Sequence, residues 1–90
     1  MLGYLHSWQS AGAVDKSIYS AEYLRLCVLL RDLRREAGLT QVQVAAALDE
    51  PQSFVSKYES GERRLDVIEL GHVAKALGVT IQKVLERLEG

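Results

Sequence analysis

The sequence predicts an all-α protein with one compact domain of five short helices, and three kinds of observation support that fold class. From Ser20 onward, apolar residues recur at intervals of three and four, as they do on one face of a helix. Residues that favour helix N-caps stand before these segments, and glycines follow several of them. No strand-like segment is bounded by hairpin turn pairs.

The first two helices are predicted from their caps. The first begins near Ser20, whose hydroxyl can accept from free backbone N–H groups, and it stops at Gly38, which tolerates the left-handed C-terminal conformation. The second covers residues 41–48. Thr40 and Gln43 have the spacing of a capping box, in which each side chain bonds the other's backbone N–H.

A tight break separates the second helix from the third. Asp49 tolerates a left-handed turn, and Pro51 is suited to opening the next helix. Gly61 closes the third helix, Asp66 is the best N-cap for the fourth, and Thr80 caps the fifth. These signals place the last three helices at residues 52–60, 67–77 and 81–89.

Composition indicates a single soluble domain. Ninety residues with 48% hydrophobic content can build one modest core, which we assign to residues 20–90, after a loose N-terminal arm of residues 1–19. Cys27 lies in an apolar run, where a buried, reduced thiol is expected. Because no apolar stretch approaches the roughly 18 residues of a membrane span and no signal-peptide pattern opens the chain, we expect a cytoplasmic protein that needs neither membrane nor cofactor.

The helix pair across residues 41–60 has two sides of different chemistry. Its apolar side would form the contact between the helices: Val44, Ala45, Leu48, Val55 and Tyr58. The other side of the third helix offers amide, hydroxyl and ammonium groups: Gln52, Ser53, Ser56 and Lys57. Such groups hydrogen-bond base edges in a major groove, so these four residues are candidates for base contacts.

Residues 39–61 read LTQVQVAAALDEPQSFVSKYESG. The L-T-Q opening, the Q-S pair at the head of the third helix, the V-S-K-Y-E-x-G ending and the A-x-x-L-G-V at residues 74–79 resemble the phage repressor/Cro family, also called the xenobiotic-response-element (XRE) type. The resemblance covers about residues 30–88. It implies a lambda-repressor-like five-helix domain with a DNA-binding helix-turn-helix and a role in transcription regulation.

The resemblance also implies roles at the head of the third helix. Gln52 would read a base, most often adenine through N6 and N7, while Gln41 would contact a phosphate and support Gln52. Ser53 and Lys57 would reach neighbouring bases or phosphates, and Ser56 shares their exposed face.

Supporting roles follow from the same resemblance. Arg34 matches the family position that pairs with the glutamate ending the recognition helix, here Glu59, and this pair would fix that helix. Arg63 and Arg64 match a basic loop that grips the DNA backbone. Thr40 is assigned, beside Gln41, to phosphate contact or support.

Four residues depart from the family pattern. Glycine is usual at the position of Asp49, a small aliphatic residue at that of Glu50, and a polar N-cap at that of Pro51, and all three residues lie in the turn between the second and third helices. Phe54 replaces a small or polar residue. It could contact a thymine methyl group, pack in a dimer, or lie at the edge of the core.

Each of these residues also has a structural explanation. Thr40 and Gln41 favour helix starts in any protein, and charged runs such as residues 62–66 usually face water. Their shared register favours DNA binding, although a net charge of −1 argues against bulk phosphate neutralisation. Catalysis has little support, because His6 and His72 lie in different segments without partners at ligand spacing, so neither an acid–base pair nor a metal site is expected.

One recognition helix covers only a few base pairs, so we expect a homodimer on double-stranded DNA with its half-sites about 34 Å apart. Two surfaces could form the dimer: the first helix with Tyr19, Tyr23 and Leu24, or the last helix with Ile81, Val84 and Leu88. Three functions stay open: a regulator, in particular a repressor, that reads an operator; an antitoxin-type module that represses its own promoter and binds a partner protein; and a protein-interaction domain without DNA binding.

Overall fold

A computed structural model describes residues 21–90, and this range forms five helices and no strand. The helices are α1 (residues 21–36 of the described range), α2 (Gln41–Leu48), α3 (Gln52–Ser60), α4 (Val67–Ala76) and α5 (Ile81–Glu89). The predicted all-α, five-helix class is therefore confirmed. The N-terminal arm and the predicted first cap, Ser20, lie outside the described residues.

Two hydrogen bonds define the N-terminal end of α2, and a left-handed residue defines its C-terminal end. Thr40 Oγ1 accepts from the backbone N–H of Gln43 at 3.1 Å, and Gln43 Oε1 accepts from the backbone N–H of Thr40 at 2.8 Å. The predicted capping box is thus confirmed. At the other end Asp49 has φ 57° and ψ 43°, the left-handed conformation expected of it, which reverses the chain before Pro51 and α3.

The caps of α4 and α5 hold the last two helices. Asp66 Oδ1 accepts from Glu69 N at 2.7 Å, and Glu69 Oε1 accepts from Asp66 N at 3.0 Å, which makes a second capping box. The helix ends at Ala76, one residue before the predicted end, because Leu77 is its C-cap. Thr80 Oγ1 accepts from the backbone N–H of Lys83 at 3.0 Å and begins α5 as predicted.

One hydrophobic core joins the five helices. Its buried side chains come from every helix: Leu30, Leu33, Val44, Ala45, Val55, Tyr58, Leu70, Val73, Ala74 and Val84, with Leu77 after α4. Cys27 is also buried, as expected, and burial raises the pKa of its thiol. Because Val84 is fully buried within this core, its proposed place on a dimer surface of the last helix is wrong.

The α2–α3 pair has the predicted apolar contact. Val44, Ala45, Val55 and Tyr58 are buried, and Leu48 is partly buried against them. The small Ala45 allows the two helices to pack closely. This contact fixes which side of α3 can face outward.

Candidate nucleic-acid interface

Helix α3 has one buried side and one open side. Val55, Tyr58 and Glu59 are buried beneath it. On the opposite side Gln52, Ser53 and Lys57 are exposed and Ser56 is half-buried. Within residues 21–90 the polar side is therefore open to a partner, and it presents amide, hydroxyl and ammonium groups together.

A mostly buried ion pair anchors the C-terminal end of α3 to α1. Arg34 donates to Glu59 from Nε at 2.6 Å and from Nη2 at 3.0 Å, and its Nη1 donates to the Leu39 carbonyl at 3.0 Å. The hydrogen bond to Glu59 is the main reason that the pKa of the guanidinium is raised. The bidentate geometry pairs both charges and leaves the two side chains only 11% and 4% exposed, so it fixes the relative position of three segments.

Gln41 and Gln52 continue this network to the surface. Gln41 Nε2 donates to Glu59 Oε1 at 2.9 Å, and Gln52 Nε2 donates to Gln41 Oε1 at 2.7 Å. Residues from α1, α2 and α3 are thus connected in one line, from the mostly buried Arg34 to the exposed Gln52. Four of the residues predicted to serve the site are brought together in this way.

The chemistry of Glu59 sets the orientation of both amides. An ionised carboxylate only accepts hydrogen bonds, so Gln41 must present its NH₂ group to Glu59 and its oxygen to Gln52. Gln52 must then use one N–H on Gln41. Its second N–H and its own carbonyl oxygen stay available, and this donor–acceptor pair is what the major-groove edge of adenine accepts, at N7 and N6.

The loop after α3 holds its first arginine against the fold. Arg63 donates to Glu69 from Nη2 at 2.8 Å and from Nη1 at 3.1 Å, and Nη1 also donates to the Arg64 carbonyl at 2.7 Å. Its guanidinium lies 4.8 Å from the ring centroid of Phe54. The hydrogen bond from Arg63 lowers the pKa of the Glu69 carboxyl. The positive charge of Arg63, which was predicted to contact phosphate, is therefore balanced by Glu69.

The second arginine of the loop lies over an aromatic ring of α1. The Arg64 guanidinium is 4.4 Å from the ring centroid of Tyr23. The Tyr23 hydroxyl accepts from the backbone N–H of Leu65 at 2.8 Å and thereby ties the loop to α1. Lys57, in the last turn of α3, is exposed near this loop, where its carbonyl accepts from the backbone N–H of Arg63 at 3.1 Å. Lys57, on the polar side of α3, is thus followed by Arg63 and Arg64 in the loop that leaves this helix.

A family model described as helix-turn-helix matches residues 30–84. The match includes the whole of α2, the turn and α3 and covers more than half of the chain. The chain belongs to the XRE-type helix-turn-helix family. This family assignment confirms the resemblance that the L-T-Q and Q-S motifs indicated.

Individual relatives agree with the XRE-type assignment. An uncharacterised HTH-type transcriptional regulator, y4dJ of Sinorhizobium fredii, is 48% identical over 48 residues, which are 53% of this chain and 62% of that protein. The chain therefore spans less than two thirds of this relative. An XRE-family-like protein from Pseudomonas syringae pv. tomato has a solved structure with TM-score 0.77 and 47% identity, over 82% of this chain and 90% of that one.

A third similar structure is that of a variant of the restriction-modification controller protein C.Esp1396I. It has a TM-score of 0.71 and 25% identity, over 76% of this chain and 86% of that one. The fold of this XRE-type chain is thus shared with a protein described as a controller.

Two residues that hold the loop beside the candidate interface were not predicted from the sequence, Glu69 and Tyr23. The D-x-x-E spacing of Asp66 and Glu69 was a visible capping signal, so Glu69 could have been placed at the start of α4. Its pairing with Arg63 depends on how the loop folds back. Tyr23 bonds a backbone N–H 42 residues later, and no local pattern indicates such a contact.

Phe54 lies at the edge of the core. It is half-buried, packs against the core cluster, and meets Tyr58 edge to face at a centroid distance of 5.6 Å. Of the three places considered for it, the core edge is the one this geometry supports. The outer face of its ring lies against the Arg63 guanidinium.

Other kinds of site find no support in the described range. Among residues 21–90, no group of three or more His, Cys, Asp or Glu side chains is placed to hold a metal ion. In the same range, no helix is both long enough and apolar enough to cross a membrane.

Proposed function

We propose that this chain is a sequence-specific DNA-binding transcriptional regulator, a repressor, that reads operator DNA in the major groove with α3 and acts as a cytoplasmic homodimer. The observation that carries the proposal is the line of hydrogen bonds from Glu59 through Gln41 to Gln52. It leaves Gln52 with one donor and one acceptor at the exposed head of the helix. Family membership supports the same function.

The polar side of α3 supplies the base contacts in this proposal. Gln52 pairs with adenine, because its remaining N–H matches N7 and its carbonyl oxygen matches the N6 amino group. Ser53 and Ser56 contact neighbouring base edges through their hydroxyls. Lys57, farther along the helix, reaches a base or the adjoining phosphate.

The phosphate contacts flank this reading surface. Thr40 and Gln41 stand at the N-terminus of α2, where backbone N–H groups favour an anion. Arg64 meets the DNA backbone on the other side. Arg63 contributes only through the edge of its guanidinium that Glu69 leaves open, so it supports the loop more than it neutralises phosphate.

A homodimer fits this mode of recognition. A single α3 spans only a few base pairs, whereas two copies related by a two-fold axis read two half-sites about 34 Å apart. The specificity of two half-sites together is sufficient for an operator. Similarity to a restriction-modification controller protein supports a regulatory role.

Selection of bound sites from random duplexes tests the proposal. The selected sequences should contain two inverted half-sites with centres about 10 base pairs apart. Affinity for them should fall steeply with added salt, because phosphate contacts release counterions. Gln52→Ala should lose the preference for one base pair in each half-site, and Gln82→Ala, an exposed glutamine on α5, should keep it. A chain that enriches no sequence and has no salt-dependent affinity would be an interaction domain instead.

A further inference from the structure

We propose that Glu69 lowers the affinity of this chain for DNA of any sequence by withholding Arg63 from the phosphates. Arg63 lies in the loop after α3, and the folded chain bonds it to Glu69 in the first turn of α4. The inference rests on the proposed function and deepens it, because it concerns the phosphate contacts of the same interface. Glu69 is in this account a positioning residue that acts through Arg63.

Arg63 lies on one flank of the polar side of α3. Its guanidinium is 4.8 Å from the ring centroid of Phe54. Phe54 comes two residues after Gln52, which places it about 200° round the helix. Since Gln52 bonds Gln41, Gln41 and Arg63 lie on opposite flanks of α3. A major groove that holds the polar side has a sugar–phosphate backbone along each edge, so one backbone passes close to Arg63.

The hydrogen bonds of Arg63 leave one edge of its guanidinium open. A guanidinium has five N–H donors, two on each Nη atom and one on Nε. Glu69 accepts from Nη1 and Nη2, and the Arg64 carbonyl accepts from Nη1. The edge formed by Nε and the second N–H of Nη2 makes no hydrogen bond within residues 21–90. Its forked geometry suits two oxygens of one phosphate, so geometry alone does not prevent Arg63 from binding DNA.

The charges around Arg63 oppose that contact. The pKa of the guanidinium is raised chiefly by the hydrogen bond to Glu69, and the nearby carboxylates of Glu50 and Asp66 raise it further. A phosphate at the open edge would meet a cation that is already paired and would stand close to other negative charges. Glu69 is the carboxylate in direct contact, so its charge weakens the attraction between Arg63 and phosphate most.

The pair is held by more than its own two charges. Its side chains are 40% and 29% exposed, and an isolated pair of this kind contributes little and opens easily. Here the contact is bidentate, the Phe54 ring lies against the guanidinium, and Glu69 Oε1 also accepts from the backbone N–H of Asp66. Because Glu69 serves the capping box and Arg63 together, we expect the pair to persist when DNA approaches.

The consequence is weak binding to DNA in general. Sequence-independent affinity grows with the number of phosphates that a protein neutralises. If one arginine beside the groove is withheld, the base contacts of Gln52 supply a larger share of the total affinity. The net charge of −1 agrees with a chain that relies little on neutralising phosphates.

Binding to a duplex of arbitrary sequence, measured by fluorescence anisotropy over a salt series, tests this inference. Glu69→Gln should raise the affinity about tenfold and steepen the slope of log affinity against log salt by about one, the effect of one more phosphate contact. Glutamine suits the same position of a capping box and keeps an oxygen for Arg63, so the variant should fold. Thermal unfolding verifies this for every variant.

Two further variants separate withheld Arg63 from a general effect of charge. Glu62→Gln is the matched control, because Glu62 is an exposed carboxylate of the same loop that makes no bond to Arg63. It should raise the affinity only about twofold and leave the salt slope nearly as it is. Arg63→Gln completes a double-mutant cycle. In its background, Glu69→Gln should gain no more than Glu62→Gln does.

The results that overturn the inference differ from those that overturn the proposed function. Glu69 has no such role if Glu69→Gln binds the arbitrary duplex as the wild type does, or if its gain equals that of Glu62→Gln or persists without Arg63. A gain that depends on Arg63, in a chain that selects no operator, would refute sequence-specific reading and leave the role of Glu69 intact. An operator preference with unchanged salt slopes in all variants would refute the role of Glu69 alone.

Discussion

The side-chain amide of Gln52 donates a 2.7 Å hydrogen bond to Oε1 of Gln41. This contact joins an exposed residue at the head of α3 to a buried network, because Gln41 in turn donates to Glu59. The orientation of an exposed amide is thus set by a carboxylate that lies beneath the helix. A fixed amide loses less conformational freedom on binding than a mobile one, so under the proposed function this network prepares α3 for base recognition.

Arg34→Met should strongly destabilise the protein. It leaves the buried Glu59 carboxylate without its cation, and removal of one partner of a buried pair costs about 3–5 kcal/mol. Urea unfolding measures the loss. Arg87→Met is the control, since the Arg87–Glu36 pair is exposed and should matter little. Equal stability of the two variants would mean that the Arg34–Glu59 pair does not hold α3 in place.

Tyr58→Phe should leave stability unchanged or raise it slightly. The side chain is fully buried, and its hydroxyl has no hydrogen-bond partner among the described residues. Burial accordingly raises the pKa of this hydroxyl. Phenylalanine keeps the ring and lacks the hydroxyl. The substitution therefore breaks no hydrogen bond and removes a buried polar atom that has no partner. A loss of more than about 1 kcal/mol on chemical unfolding would show that the hydroxyl is bonded. Tyr58→Ala should lose about 3–5 kcal/mol, as other buried aromatics do.

Acid should destabilise the wild type partly through Glu69. Arg63 holds the pKa of this carboxyl below its ordinary value of 4.5. A depressed folded-state pKa adds stability above the unfolded-state value, and this stability is lost as the pH falls through the folded-state value. The stability difference between wild type and Glu69→Gln should therefore shrink when urea midpoints are compared at neutral pH and well below pH 4.5. Glu86→Gln, at an exposed position of α5, is the control for the loss of one carboxylate.

Three glycine-to-alanine variants should change the stability of the protein in different directions. Gly38 and Gly61 have φ of 73° and 88°, so alanine at either position should cost about 1–2 kcal/mol through backbone strain. At Gly61 the added Cβ also comes 2.8 Å from Leu24 Cδ2, the end of a half-exposed side chain that can move, so Leu24→Ala should not rescue the variant. Gly71→Ala should instead gain up to about 1 kcal/mol. Equal losses at all three positions in thermal unfolding would contradict this distinction.

Local signals in the sequence were sufficient to predict the fold. The Thr40 capping box, the left-handed Asp49 and the closing Gly61 each depend on a few neighbouring residues, and the structure has all three. Family motifs supplied the register of α2 and α3. The end of α4 was placed one residue late because Leu77, its C-cap, continues the apolar pattern of the helix.

Contacts between distant segments could be predicted only in part. The family resemblance predicted the Arg34–Glu59 pair, and the structure brings these two residues together. The resemblance did not indicate that Arg63 would pair with Glu69. Two arginines after a recognition helix look alike in a sequence. Whether each is available to phosphate depends on the carboxylates and rings that the folded loop places beside it.

The most direct test of the account is the base preference of Gln52→Ala and Gln41→Ala at the same operator position, measured by competition with all four base pairs. We expect Gln52→Ala to lose about 1–3 kcal/mol for the preferred A·T pair and almost none for the others, which removes the discrimination. Gln41→Ala should weaken the same preference without moving it to another position, because Gln52 is then no longer oriented. If both variants discriminate among the four base pairs as the wild type does, the hydrogen-bond line from Glu59 to Gln52 does not direct base recognition.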